Sequence, residues 1–330
     1  MKSRKNVENL YWYFASERQK IFNARAENLR GPWTEDPILQ QYKFCNVFRA
    51  SDRVSQYMIR DVCYDEYDSI EDQVFNTLAF RFFSKPETWN KLKAKLGGQI
   101  KLQHLESGEF ENELGRLKRT GQTMYTSAFI LCATKAYGHS EKFRNHVELF
   151  KHMFLDNGLG KELPSKQSLE SIVETLREYP LMGDFMSYQV AIDLNYLPQI
   201  NFSENDYVVA GPGALRGIRK AFPDVSPKDS VNVIRHMVES QDEKFEEFGY
   251  EFQGLWGRKL HAIDCQGLFC ELDKYTREAM PELKSARKRI KAKYSPRQQP
   301  FQLFFPPKWG INDKIPGKQA FGDPGVQQSL

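Results

Sequence analysis

The stretch with the clearest capacity for chemistry is Gly211-Pro-Gly213-Ala-Leu-Arg216-Gly217, with Arg219 close behind. Glycines let backbone N–H groups approach an anion, and the two arginines would add cationic donors to a phosphate or pyrophosphate. The stretch is not a P-loop, because the Gly-Lys-Ser/Thr ending is missing, and no βαβ unit surrounds it as a dinucleotide fold requires. A helix cap with a Pro-Gly turn is the plainer alternative. Glu271-Leu-Asp273-Lys274 is a second charged group. Helical spacing puts Glu271 and Lys274 on one face, as a surface ion pair or as a working cluster. Asn46, Arg49, Asp52 and Arg53 read as two helical turns that either hold DNA or form a buried polar network. The densest cationic run, residues 284–293, includes Arg287, Lys288 and Arg289. It is helical in pattern. A contact to a DNA backbone is favoured over a merely solvated helix, because the rest of the chain is close to neutral.

The elements that must carry these residues are mostly helices. Apolar residues recur at helical spacing over 6–30, 38–60, 70–83, 86–96, 122–137, 139–155 and 168–179. Thr34-Glu-Asp-Pro37 has the form of a helix start. Residues 97–121, richer in glycine and charge, predict a loop with short helical pieces. Few stretches alternate with period two, so a large sheet is excluded, and no internal repeat is visible. The tail from Ser295, rich in Pro, Gly and Gln, predicts an extended strap anchored by Phe301, Phe304, Phe305 and Trp309. The expected division is 1–120, 121–294 packed with it as one body, and a tail of 295–330. Trp12, Trp33 and Trp89 read as core.

The bulk numbers exclude several classes. Of 330 residues, 40% are hydrophobic and 13% aromatic, enough for a sizeable core rather than a disordered chain. No run of eighteen apolar residues exists and the N-terminus lacks an apolar signal segment, so no membrane partner and a cytoplasmic location are expected, in the host if the chain is phage-encoded. The five cysteines, Cys45, Cys63, Cys132, Cys265 and Cys270, are scattered and odd in number, as reduced thiols would be. His139, His146 and His152 share no single helical face, so no metal site is assigned to them. No cofactor is demanded by the sequence, and a divalent metal is left open.

Between Tyr179 and Leu194 a helix, a tight Pro180-Leu-Met-Gly183 turn and a second helix follow one another. Such a hairpin offers backbone N–H groups at a helix N-terminus to a DNA phosphate, with Gly183 where the backbone would need freedom. With Asp206 in the loop beyond it, the segment resembles the helix-hairpin-helix DNA glycosylases, whose catalytic aspartate follows the hairpin. Their usual LPGVG is here PLMGD. No lysine stands where a Schiff-base lyase would need one. The fold this resemblance implies is mainly α, with an N-terminal helical extension and an extended C-terminal tail.

Three strings together resemble one further family. The first runs from Tyr11-Trp-Tyr-Phe14 and Glu17-Arg18 through Pro32-Trp-Thr-Glu-Asp-Pro-Ile-Leu39 to Phe44-Cys-Asn-Val-Phe-Arg49 and Asp52-Arg53. The second joins Gly183–Asp193 to Asp206 and 211–217; the third is Leu268-Phe-Cys-Glu-Leu-Asp-Lys-Tyr275. They are similar to the alpha-glutamyl/putrescinyl thymine pyrophosphorylases, also called amino acid:DNA transferases, and the first also resembles the helical domain of 5-hydroxymethyluracil DNA kinases. The resemblance implies a bacteriophage enzyme in which an amine displaces pyrophosphate from activated 5-hydroxymethyluracil in DNA. The partners so implied are DNA carrying the modified thymine, a free amino acid or polyamine, and a 5-hydroxymethyluracil DNA kinase. Lacking a Walker A motif, the chain does not resemble the kinase's nucleotide site.

That chemistry needs a carboxylate to take the amine proton, cations for the pyrophosphate and a base flipped from the stack. It implies Asp206 as base or orienting acid, and Gly211, Gly213, Arg216 and Arg219, with Gln189 and Asp193, on the substrate. Glu271, Asp273 and Lys274 would bind the amine or assist proton transfer. Gly183, Asn46, Arg49, Arg53, Arg287, Lys288 and Arg289 would touch DNA. A DNA N-glycosylase and a noncatalytic DNA-binding partner are the competing readings.

Overall fold

A computed structural model describes residues 2–126, 135–283, 289–290, 292–294 and 302–316. The chain opens with helices α1 (Lys5–Ala26) and α2 (Pro37–Gln41). There follow α3 (Arg53–Met58), α4 (Ile70–Phe83), α5 (Pro86–Lys95), α6 (Leu102–Glu106), α7 (Glu109–Arg119), α8 (Lys142–Lys151), α9 (Leu159–Glu162), α10 (Leu169–Arg177) and α11 (Asp184–Leu194). It closes with α12 (Pro212–Ala221), α13 (Ser230–Glu239), α14 (Gln241–Glu247) and α15 (Ala262–Ala279). Among the described residues the protein is mainly helical and has no strand, only isolated bridges. No described helix is long and apolar enough to cross a membrane.

The chain forms two compact units, 1–52 with 210–330, and 53–209. This differs from the expected consecutive division. The reason is that α1 packs on α12 and α15, so the two ends of the chain close one unit. In this discontinuous unit α15 is the centre, with Ile263, Cys265, Leu268, Phe269 and Leu272 buried. Tyr11 meets Phe269 at a tilt with ring centroids 4.7 Å apart, and Trp12 meets Phe245 edge-on at 4.8 Å. The strap is present in part: Leu303 and Phe305 are buried, whereas Phe301 lies outside the described residues.

The middle unit is built on α4, whose Val74, Phe75, Leu78, Phe80, Phe82 and Phe83 are all buried. Around it gather Trp89, Phe110 and Phe150 in edge-to-face contacts. Arg81 on α4 and Asp193 on α11 form a buried two-pronged ion pair. The α10–α11 hairpin forms as expected, and Ser168 caps α10 by accepting from the Ser171 N–H at 3.0 Å. The backbone freedom, however, is used by Leu181, at φ 72°, not by Gly183, at φ −70°.

Three helical expectations fail. Residues 38–60 are not one helix: α2 ends at Gln41, residues 43–46 are irregular, and only a 3₁₀ turn at Arg49–Ser51 precedes α3. Residues 122–126 and 135–137 are non-helical, and 127–134 lie outside the described residues. In the cationic run, the described part is extended rather than helical. The Lys43 N–H donates to the Ala292 carbonyl and the Tyr294 N–H to that of Gln41, each at 2.9 Å. Arg287 and Lys288 lie outside the described residues and Arg289 is exposed.

Candidate functional site

The segment 42–52 would have been helical on its own periodicity, but side chains of neighbouring helices claim its backbone. The Cys45 N–H donates to Glu271 Oε2 at 3.0 Å and the Arg49 N–H to Asp264 Oδ1 at 3.0 Å, both acceptors on α15. Arg18 on α1 donates through Nε to the Cys45 carbonyl (3.2 Å) and through Nη2 to the Asn46 side-chain oxygen. Asn46 in turn donates to the Ser51 carbonyl at 2.6 Å, and its own N–H donates to Asp52 Oδ1 at 2.8 Å. Lys274 pairs with Glu271 at 2.5 Å and stands 4.4 Å over the Phe44 ring. A second anchor fixes the segment's start: Asp36 caps α2 by accepting from the Ile38 and Leu39 N–H groups and also takes the hydroxyls of Tyr13 and Tyr275. Thus residues from the first and third sequence strings meet along α15, where Asp264, Glu271 and Tyr275 are buried.

Asp52 is the chemically distinctive member. Burial pushes its carboxyl up to about 6, and the Glu271 charge adds to this, against the Asn46 N–H and Arg18. Among the described residues no cation lies within ion-pair distance of it. Burial also lowers the Arg18 guanidinium from its usual range, and Arg18 Nη1 has no hydrogen-bond partner among the described residues. The exposed Cys45 thiol is held well up by the Asp52 and Glu271 charges, which makes it a poor nucleophile. Arg18 was inside the resembling strings without an assigned role, and Asp52 was read as holding DNA or joining a buried polar network, not as a base. Their signal was adjacency to Asn46 through the fold, which spacing alone does not show.

Asp273 has a different environment. It is fully buried, and Arg216 Nε (3.0 Å), Lys220 Nζ (2.9 Å) and Arg277 Nη2 (2.8 Å) all contact it. Burial alone would raise its carboxyl, but the three cations outweigh it and bring it to about 2. This hub joins α12 to α15, and the glycines of α12 permit their approach. A Cβ at Gly213 would lie 2.8 Å from Cys270 Sγ, and one at Gly217 would lie 2.0 Å from the Phe269 carbonyl oxygen. Gly211 is the N-cap of α12, Arg216 is half-buried and Arg219 exposed.

The remaining predicted residues belong to the middle unit. Asp206 is exposed on a turn, its N–H bonded to the Ser203 carbonyl at 3.2 Å. Gln189 is buried on α11, Asp193 belongs to the Arg81 pair, and Gly183 is the exposed N-cap of α11. Arg53 is exposed and 3.8 Å from Glu87. The histidines bond tyrosines, His146 to Tyr125 (3.0 Å) and His152 to Tyr137 (2.9 Å). Of the three tryptophans expected in the core, Trp12 and Trp89 are buried and Trp33 is half-buried.

No solved structure matches the chain. It is similar to a 5-hmdU DNA kinase of Bacillus phage SP10, 27% identical over 288 residues. That match takes in 81% of this chain and 44% of the relative, so the chain spans less than half of that protein's length. Residues 5–285 match the family described as the helical domain of 5-hmdU DNA kinase, a range that includes every residue of the Asp52 cluster. The chain belongs to this family of helical domains.

Proposed function

We propose that the chain acts in phage thymine hypermodification as a transferase. In this reading the amine of an amino acid or polyamine attacks the exocyclic methylene of 5-(pyrophosphoryloxymethyl)uracil in DNA. The new C–N bond forms as the C–O bond breaks, pyrophosphate leaves with the electron pair, and the ammonium proton passes to a carboxylate. The observation that carries the reading is Asp52, a carboxyl held near 6 with Arg18 close by, inside the strings that carry the family resemblance. A general base is most effective when its pKa lies close to the working pH. Arg216 in the middle of α12 and exposed Arg219 in its last turn would supply cations to the departing pyrophosphate. Glu271 and Lys274 suit the amine donor. Asp206, exposed on its turn, is the rival for the base, and Gly183, Asn46, Arg49, Arg53 and Arg289 are the proposed DNA contacts. The helix-hairpin-helix glycosylase likeness of α10–α11 supports DNA as the partner.

The test offers DNA carrying pyrophosphorylated 5-hydroxymethyluracil with a pool of amino acids and polyamines, followed by nucleoside mass measurement. An amine-adduct nucleoside supports transfer, and its loss in Asp52→Asn or Asp206→Asn names the base. Intact, unmodified nucleosides would sink the transferase, and abasic sites would indicate a glycosylase. A second reading is favoured by the 44% coverage of the relative: a helical module that presents modified DNA to a kinase. It predicts no adduct, and faster phosphorylation of 5-hydroxymethyluracil DNA when the chain is added to the kinase.

A further inference from the structure

The turn Leu255-Trp256-Gly257-Arg258 has an unusual residue at its tip. The Leu255 N–H donates to the Arg258 carbonyl (2.9 Å) and the Arg258 N–H to that of Leu255 (3.1 Å), closing a two-residue hairpin turn. Both central residues have positive φ, 49° for Trp256 and 95° for Gly257. Turns of this kind strongly prefer Asn or Gly at the first position, because a bulky side chain there is strained. A tryptophan stands here against that preference, half-buried at the surface. Its ring lies 6.0 Å from Phe22 and 5.8 Å from Phe305, and Phe305 stacks on Trp309 at 6.2 Å. The Arg258 guanidinium sits 3.7 Å over the Trp309 ring. Exposed Lys314 donates from Nζ to the Trp256 carbonyl at 3.4 Å, and half-buried Lys308 is on the same strap, whose one acidic residue over 302–316 is Asp313. All these groups belong to one unit.

We propose that Trp256 and Trp309, with Arg258, Lys308 and Lys314, form a platform for unpaired DNA, separate from the Asp52 cluster. Aromatic faces stack on bases only where the bases are free of a duplex, and interleaved cations neutralise the phosphates between them. The pattern therefore fits single-stranded or locally opened DNA better than an intact helix. A base taken out of the stack leaves its neighbours needing such support. The proposal rests on the reading that the substrate is DNA, but not on which group is transferred.

The test measures binding of a labelled, unmodified 12-nucleotide oligothymidylate by fluorescence anisotropy at low salt. Trp256→Asn keeps a residue that tolerates positive φ and removes the ring. It should weaken binding about tenfold in a variant shown to be folded by circular dichroism, beyond the modest loss of stability from the missing ring packing. Lys314→Glu, on an exposed side chain, should weaken it several-fold and flatten the salt dependence, and it carries the test alone if the tryptophan variant fails to fold. Wild-type affinity in Lys314→Glu and in a folded Trp256→Asn overturns the platform but leaves DNA as the substrate. Failure of the wild-type chain to bind any DNA, modified or not, single or double, overturns both.

Discussion

Two carboxylates of the same unit have opposite electrostatic fates. Asp273 is buried deeper, yet three cations hold it ionised at about 2. Asp52 is only half-buried, yet it has one backbone N–H and no ion pair among the described residues, and it is pushed up to about 6. Burial raises both carboxyls, and the supply of cationic partners separates them. A buried charge with full compensation is a joint, here between α12 and α15. An under-compensated one sits near the protonation boundary and is available for proton transfer.

The largest expected effect tests the second half of that contrast. Asp52→Asn should lower adduct formation about 10²–10⁴-fold, the usual worth of a positioned base, with little change in the fold. In the wild type, kcat should fall on the acid side of about pH 6, as Asp52 gains its proton. A profile flat through that range, or an active Asp52→Asn, would remove Asp52 from the chemistry and turn attention to Asp206.

The next tests the joint. Asp273→Asn leaves Lys220 and Arg277 buried without their counter-charge and should cost about 3–5 kcal/mol in a denaturant titration. The two acids also predict opposite pH signs. Asp273 is lowered from 3.8, so its contribution is present above pH 3.8 and fades as pH falls toward 2. Asp52 is raised from 3.8, so the fold favours its protonated form, and stability declines as pH rises from about 4 to 6. Comparing each Asn variant with wild type across pH 2–7 would separate the two contributions, and the same sign in both would contradict the assignment.

Much of this was legible in sequence, unevenly. The α4, α5, α10 and α11 helices follow from apolar spacing with Ser69, Pro86 and Ser168 at their starts. Asp36 and Pro37 marked the start of α2 correctly, but nothing local announced that it stops after five residues. The segment beyond is held by Glu271 and Asp264, more than two hundred residues away, and such long-range bonds override local periodicity. Glu271 and Lys274 were readable as a pair from their spacing. Asp273 was grouped with them, although a position two residues after Glu271 lies about 200° round the helix and points it at Arg216 and Lys220 instead. The glycines of α12 were legible as special but not for which reason, since packing and anion approach both ask for a missing Cβ.

Gly217→Ala decides the packing part of that ambiguity. Its methyl would overlap the Phe269 carbonyl, so α12 must move off α15, at a cost of about 1–3 kcal/mol. That shift also disturbs Arg216 and Lys220 against Asp273, so the loss should shrink in the Asp273→Asn background. Simple additivity of the two would mean that the glycine contact and the ionic joint are independent.

The smallest stability effect is expected at Gly183, and this makes it informative about DNA. Its φ of −70° suits any residue, and an added Cβ meets nothing within 4 Å. Gly183→Ala should therefore change stability by less than about 0.5 kcal/mol. If the α11 N-terminus takes a DNA phosphate on its free N–H groups, the same methyl intrudes between backbone and phosphate. DNA affinity should then fall several-fold while the melting temperature stays put. Leu181, at φ 72°, provides the opposite control: Leu181→Gly relieves local backbone strain and should leave DNA affinity alone. Equal DNA affinity in both variants would mean that the hairpin is a structural element of the middle unit, and the DNA contacts would have to be sought elsewhere.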